Sequence, residues 1–377
     1  MGIYLDNAAT TQPSREVVDT CSEVSYFQYA NASSRHRSGR EARALVDKAR
    51  QTIATELQCN VGEIVFTSGG TEANVMVTAG LAASLHPARK HVIISKIEHS
   101  SILSCVSRLE EMECEVTLVA PNRNGRVEVE AIVDALRPDT GFVSLMLVNN
   151  EVGTIQPVAE LGMECRRRGV ILHSDAVQAI GKIPVKVNEL NVDVLTFSGH
   201  KIHGPKGIGG VYIREGVDLP PLLGGGDQEF NRRAGTENVP GIVGMAKAFE
   251  MFNFVEMAQV ELLRKELEYR LKELPGVIVN AEEMPRAPHI SNVCFTAIDG
   301  DYLMGRLINN NICVSSGSAC SSSHDKPSHV LQAMKVERGM ARTAIRFSLS
   351  QYTTRHEILD CIDAVRASFR QLGLCST

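Results

Sequence analysis

The chain has 377 residues, 44% hydrophobic and 22% charged, with 39 lysines and arginines against 44 acidic residues. This composition excludes a disordered or fibrous chain, and a net charge of −5 gives no bulk electrostatic case for nucleic acid or an anionic membrane. No run approaches ~18 consecutive apolar residues, so no membrane span is expected. The N-terminus MGIYLDNAATT lacks the basic and long apolar regions of a secretory leader, so a cytoplasmic protein is expected. Ten cysteines are scattered with no Cys-x-x-Cys pair and no zinc-finger spacing, which predicts reduced thiols and no metal site.

From about residue 60 to 215, short apolar runs alternate with helical periodicity. The runs are EIVFT (63–67), HVIIS (91–95), CEVTLVA (114–120), FVSLMLV (142–148), VILHSDA (170–176), DVLTFS (193–198) and GIGGVYI (207–213). They are rich in β-branched residues and nearly continuous, as strands covered on both faces are. Helical periodicity spans 43–58, 72–85, 98–112, 126–137 and 157–168. The alternation predicts an α/β fold with a doubly wound, mostly parallel sheet.

After LLGGGDQEFNRRAGTEN (222–238) the texture changes. A charged helix over 257–274 stops at Pro275-Gly276, and strand-like VIVN (277–280), HISNVCF (289–295), NICVSS (311–316) and AIRFSLS (344–350) follow, with helices near 300–309 and 354–371. This predicts a smaller α+β unit. The expected division is a large unit over 15–255 and a small one made of 1–14 and 256–377.

Four stretches carry chemistry. Strand EIVFT runs into Ser68-Gly69-Gly70-Thr71, a tight turn at a helix start whose free N–H groups suit a phosphate; without a Gly-Lys-Ser/Thr ending it is a poor P-loop. A plain strand-to-helix turn capped by Thr71 explains it equally well. His173-Ser174-Asp175-Ala176-Val177-Gln178 lies at the carboxyl end of a strand, where open α/β sheets bind ligands. Buried there, Asp175 needs a cation or several donors, and a protonated pyridine nitrogen would serve; taken alone, a helix N-cap is the more frequent role. Lys201, in Ser198-Gly199-His200-Lys201, ends another strand among glycines and histidines, a setting for Schiff-base chemistry. Cys320 sits in SSGSACSSSH (315–324), a loop composition that gives an accessible thiol. Arg346, in AIRFSLS, is suited to clamping a carboxylate.

The order of GGT, NNEVG, DAVQ, SGHK, SSGSAC and IRFSL, with YLDNAATT (4–11) and GGG…RRAGTEN (224–238), resembles the cysteine desulfurases of the NifS/IscS group, which are fold-type I pyridoxal 5'-phosphate (PLP) enzymes of the class-V aminotransferase family. The resemblance runs from about residue 4 to 354. It implies that Lys201 carries PLP as a Schiff base, that Asp175 pairs with the ring nitrogen and that Gln178 bonds the ring oxygen. Gly70, Thr71, Ser198 and His200 would grip the phosphate, with Thr236 reaching in from a second subunit of a homodimer. His99 would stack on the ring and help move protons. Asn150 and Arg346 would hold the carboxylate of L-cysteine, with Asn31 in a segment lining the same site. Cys320 would be the nucleophile that takes the sulfur as a persulfide and passes it to a protein acceptor, leaving L-alanine.

The chain reads Asn31-Ala32-Ser33-Ser34 where this family usually has Asn-Pro-Ser-Ser. It ends at LGLCST without the longer tail of the IscS-type proteins, so the acceptor, in iron–sulfur assembly or thio-modification, stays open. Rival readings are a selenocysteine lyase, another type I C–S lyase or aminotransferase, and a non-catalytic sulfur or metal carrier on the same scaffold.

Overall fold

The computed structural model describes residues 2–316 and 328–375. Its strands in chain order are β1 (Ile3–Tyr4), β2 (Ile64–Thr67), β3 (His91–Ser95), β4 (Glu115–Val119), β5 (Thr140–Ser144), β6 (Ile171–Asp175), β7 (Val194–Ser198), β8 (Gly209–Ile213), β9 (Val277–Val279), β10 (Ile290–Phe295), β11 (Ile312–Cys313), β12 (Ser315–Ser316) and β13 (Ala344–Ser348). β2 to β8 form one seven-stranded sheet in the order β2-β8-β7-β6-β5-β3-β4. Every neighbouring pair in it is parallel except the two that β8 makes. The sheet is therefore mostly parallel and wound in both directions, the α/β architecture expected from the alternating pattern.

All residues of β2, β3, β5, β7 and β8 are buried, which is why their sequences read as unbroken apolar runs. The helix Gly70–Ser84 packs on β7 and β8 and is buried nearly all round, from Ala73 to Ala82. Two helices not among those expected, Arg15–Phe27 and Val239–Glu250, pack together and bring Val239–Glu250 onto Arg37–Leu57.

A second sheet, β12-β13-β10-β9, is wholly antiparallel. Helices Phe254–Leu271, Gly300–Asn309 and Arg355–Gln371 belong to its side of the molecule. Phe295, Phe347 and Phe369 are fully buried in its core with Leu5 from the chain start, each such side chain contributing about 1.5–3 kcal/mol by leaving water. β1 pairs in parallel with β11, and Asp6 bridges to Ser348. The chain start is thereby bound to the end of β13.

Two elements differ from expectation. The helix expected over 98–112 is broken into Ser100–Leu103 and Val106–Glu111. Cys105 Sγ donates to Ser101 O and Cys105 N turns to Ile102 O, so the fourth-residue backbone bond is displaced at that point. NICVSS is two short strands in different sheets, divided at Val314.

Candidate active site

The carboxyl ends of β6 and β7 and the start of the helix Gly70–Ser84 face a cavity of about 550 Å³. It lies where a parallel sheet presents its ligand-binding edge. The cavity brings together all the site residues singled out from sequence except Asn31, Thr236 and Cys320.

One end is a cradle for an anion. Gly69 caps the helix at φ 154°, with no side-chain cap, so Thr71 is not the N-cap but the second helical residue. A Cβ on Gly70 would come within 3.0 Å of Val177 Cγ2 and 3.6 Å of Ser198 Cβ. The close approach of these segments therefore depends on glycine. Ser198 is 2% exposed, and its Oγ is buried with no partner among the described residues. An unpaired hydroxyl beside free helix amides is a polar group waiting for an acceptor.

Asp175 forms the floor and is 4% exposed. Its Oδ1 accepts from Val177 N at 2.9 Å and its Oδ2 from Asn74 Nδ2 at 2.7 Å. No helix starts after it, so the carboxylate closes a short turn rather than capping a helix. Asn74 is itself fixed: its Oδ1 accepts from Thr196 Oγ1 at 2.6 Å, and Nδ2 also donates to Ser101 Oγ at 3.0 Å. Sequence reasoning passed over Asn74. The signal available was its position four residues into the helix that follows the glycine turn, facing the strand ends.

Lys201 ends the short 3₁₀ turn after β7, and its Nζ donates to Ala8 O and Ala9 O, both at 2.6 Å. His200 Nδ1 lies 3.2 Å from Thr10 Oγ1, and Thr11 bonds His200 O through both N and Oγ1. The N-terminal YLDNAATT segment thus runs as a strap over the lysine turn. Burial, with Lys201 and Lys206 nearby, pushes the His200 pKa down to about 4, so at neutral pH the ring is uncharged. His99 caps the helix Ser100–Leu103, its Nδ1 accepting from Ser101 N at 3.2 Å and lying 2.8 Å from Ser101 Oγ.

The facing wall is polar and held by distant segments. Arg346 is 3% exposed at the side chain; its Nη1 donates to Asn150 O at 2.8 Å and its Nη2 to Asp6 Oδ1 at 3.0 Å. Asp6 Oδ1 also accepts from Ser315 Oγ at 2.8 Å. Arg346 Nε and Asn150 Oδ1 are buried without partners among the described residues. Beneath this wall are two buried carboxyls that the sequence did not single out. Desolvation lifts Glu98 to about 8, against bonds from Ser95 Oγ and Met146 N, and Glu151 to about 7, against a bond from Ser328 Oγ. His329 Nε2 lies 3.0 Å from Glu98 O.

Asn31 and Thr236 are exposed and off the cavity wall, with Asn31 Oδ1 accepting from Ser33 N at 2.8 Å. Cys320 lies outside the described residues. The loop leading to Thr236 is pinned by Glu229, which accepts from both Arg50 amino groups at 2.7 Å and from Phe66 N at 2.7 Å. Arg50 stands between the Phe66 and Phe230 rings, 4.6 and 4.9 Å from their centres. Glu229, Phe230 and Asn231 are consecutively left-handed, a conformation that persists only when surrounding structure imposes it.

A strand-end lysine, a floor carboxylate and a glycine-lined anion cradle in one cavity define a fold and site shared with a large enzyme family. The family model described as aminotransferase class-V matches residues 3–360, and the chain belongs to that family, whose members use PLP. It is 41% identical to the cysteine desulfurase IscS of Dictyoglomus turgidum over 99% of this chain and 96% of that protein. Among solved structures it resembles a NifS-like protein with TM-score 0.91 and 36% identity, covering 98% of this chain and all of the other. It also resembles SspA in complex with cysteine, at TM-score 0.84 and 33% identity, covering 93% of this chain and 100% of that one.

Proposed function

We propose that this enzyme is a PLP-dependent cysteine desulfurase, taking sulfur from L-cysteine onto Cys320 and releasing L-alanine. The observation that carries the reading is the convergence on one cavity of Lys201, Asp175, the unpaired Ser198 hydroxyl and Arg346. The residues fit the cofactor: Gly70, Thr71, Ser198 and the neutral His200 suit its phosphate, Asp175 its ring nitrogen, Gln178 its ring oxygen, and Lys201 a covalent hold on its aldehyde carbon. When bound, the cofactor supplies an electron sink for the pair left at the substrate Cα.

The protein's own residues do the rest. Arg346, whose buried Nε is an unpaired donor among the described residues, receives the substrate carboxylate, and Asn150 on the same cavity would offer it the N–H groups of its amide. Lys201, once exchanged for the substrate amine, removes the Cα proton, and His99 on the same cavity assists proton movement. The Cys320 thiolate attacks the substrate sulfur: an S–S bond forms as the C–S bond breaks, the bonding pair stays on Cβ and takes up a proton there, and return of a proton from Lys201 to Cα completes alanine. Only the thiolate is nucleophilic enough, and since a free thiol of pKa about 8.5 is mostly protonated at neutral pH, a neighbour or the bound substrate must assist its deprotonation.

A homodimer completes the site. Thr236 and Asn31 are exposed on the single chain, as residues serving a neighbouring subunit would be, and Tyr26, Phe27 and Tyr29 stand exposed just before Asn31. Among the described residues no helix is long and apolar enough to cross a membrane.

The test is the absorbance of the purified protein with PLP, before and after L-cysteine, with alanine and sulfide assayed. A visible band that shifts with L-cysteine, alanine production and loss of sulfur transfer in Cys320→Ala with the band retained are expected. Unchanged turnover in Cys320→Ala would point instead to a lyase or aminotransferase. A protein that stays colourless with PLP would remove the enzyme reading.

A further inference from the structure

Gln178 is held from two sides. Its Nε2 donates to Ala8 O at 2.8 Å, and its Oε1 lies 3.3 Å from His289 Nε2. The first contact fixes which way the amide faces, since a carbonyl oxygen can accept only from the nitrogen. His289 Nε2 then carries the proton, and Nδ1, buried and unpartnered among the described residues, is the bare nitrogen. The ring stays neutral: it is fully buried, and the charges of Lys182, Arg346, Arg264 and Lys201 all oppose protonation and hold its pKa well below the ordinary value. A neutral imidazole with one N–H has a single way to meet this amide.

The ring is fixed by the antiparallel sheet rather than by the cavity. His289 directly precedes β10, and its carbonyl accepts from Leu349 N at 2.8 Å, just beyond β13. Ala8 O also receives Lys201 Nζ. A continuous hydrogen-bond chain therefore runs His289, Gln178, Ala8, Lys201, from the edge of the small sheet to the amine. One hydrogen of Gln178 Nε2 is used by Ala8; the second is left over, and Gln178 lines the cavity.

We propose that His289 is a positioning residue for the cofactor site: its Nε2–H···Oε1 bond holds the Gln178 amide so that the remaining N–H is offered to the ring oxygen of bound PLP. This rests on the reading of the cavity given above. Turned by 180°, the same amide would set a carbonyl lone pair against that negatively charged oxygen. The bond therefore reinforces, from the opposite side to Ala8, the orientation that attracts rather than repels that cofactor atom. His289 touches neither substrate nor cofactor.

Three measurements test this. In cofactor-free protein, ¹⁵N chemical shifts are expected to show His289 protonated at Nε2 and bare at Nδ1. In PLP-loaded protein, His289→Leu is expected to raise the pH midpoint of the visible band by about 0.5–1 unit, less than the roughly 1–2 units of a whole hydrogen bond to a charged oxygen because Ala8 O still holds the amide, and to weaken PLP binding by about three- to tenfold. His289→Gln, which restores an N–H donor, is expected to bring both back towards wild type. An Nδ1-protonated tautomer in a protein with a normal visible band overturns the proposal alone, as do wild-type midpoint and affinity in His289→Leu. If His289→Leu does not fold, the tautomer of the unaltered protein still decides. A wild-type protein that gives no visible band with PLP overturns the reading of the cavity and this proposal with it.

Discussion

On the floor of the cavity, Asp175, Ser198 and Lys201 come from the ends of the adjacent strands β6 and β7, and the sequence around each is a compact motif. On the facing wall, Arg346 meets Asp6 across 340 residues of chain and Asn150 across 196. The floor is tightly partnered: Asp175 has two donors, and Asn74, one of them, has two further side-chain bonds, to Ser101 and Thr196. The wall keeps polar atoms in reserve at Arg346 Nε and Asn150 Oδ1, and one of the arginine's partners is Asp6, a carboxylate only 3.0 Å away. The difference fits two kinds of ligand. A resident cofactor rewards a preorganised floor, whereas a substrate that comes and goes suits a wall whose arginine can exchange one carboxylate partner for another.

The strongest way to break this contrast is on the floor. Asp175→Asn keeps the size and removes the charge, so turnover is expected to fall by about 10²–10³-fold with PLP still bound, measured as alanine formed against the visible band. Arg346→Lys keeps the charge and loses the planar fork; KM for L-cysteine is expected to rise about 10- to 100-fold with a smaller change in kcat, read from steady-state kinetics. If kcat alone fell, the wall would not be the carboxylate site. Asn74→Ala removes a buried donor to Asp175 and the acceptor of Thr196, at a cost of about 1–3 kcal/mol in denaturant unfolding and less than about tenfold in turnover.

The smallest effect concerns the carboxyls under the wall. The folded pKa values of Glu98 and Glu151, about 8 and about 7, lie above the ordinary carboxyl value near ~4.3. Each therefore contributes stability that is fully present below the unfolded pKa and is lost as pH rises through the folded one. Thermal unfolding of the cofactor-free protein should show this loss between pH 7 and pH 8, above the range in which the buried neutral His173, His200, His203 and His289 favour the fold more strongly as pH rises. Glu98→Gln, uncharged throughout, is expected to flatten that fall by up to roughly 1.4 kcal/mol per pH unit. An unchanged slope would mean that Glu98 is ionised in the folded protein.

The same contrast explains what the sequence disclosed. The parallel sheet is legible because strands buried on both faces leave unbroken apolar runs. The floor residues are legible because glycine turns and strand ends fix them within a few positions. The helices Arg15–Phe27 and Val239–Glu250 lie outside the alternating stretch and were not singled out, although Val17, Cys21 and Val24 of the first stand at helical spacing. Asn74, Glu98 and Glu151 were overlooked because nothing local distinguishes a buried amide or carboxyl that serves another residue. His289 is the extreme case, since its bond to Gln178 joins positions 111 residues apart. Asp6 and the strap over Lys201 were visible only as the motif YLDNAATT, without a physical reason; the reason is the hydrogen bonds to His200, Lys201 and Ser348.

That strap has a consequence in time. Asn7 Nδ2 donates to Ser348 O, Ala8 N to Ser348 Oγ, and Asp6 accepts from Arg346. During synthesis Asp6, Asn7 and Ala8 must wait for partners 340 or 341 residues further along the chain before these bonds can form, and contacts so far apart in sequence are slow to close. The seven-stranded sheet and the strap's bonds to the lysine turn can form before then, but the substrate wall gains its arginine only once β13 has emerged. Competence for catalysis is thus a late event in the life of each chain.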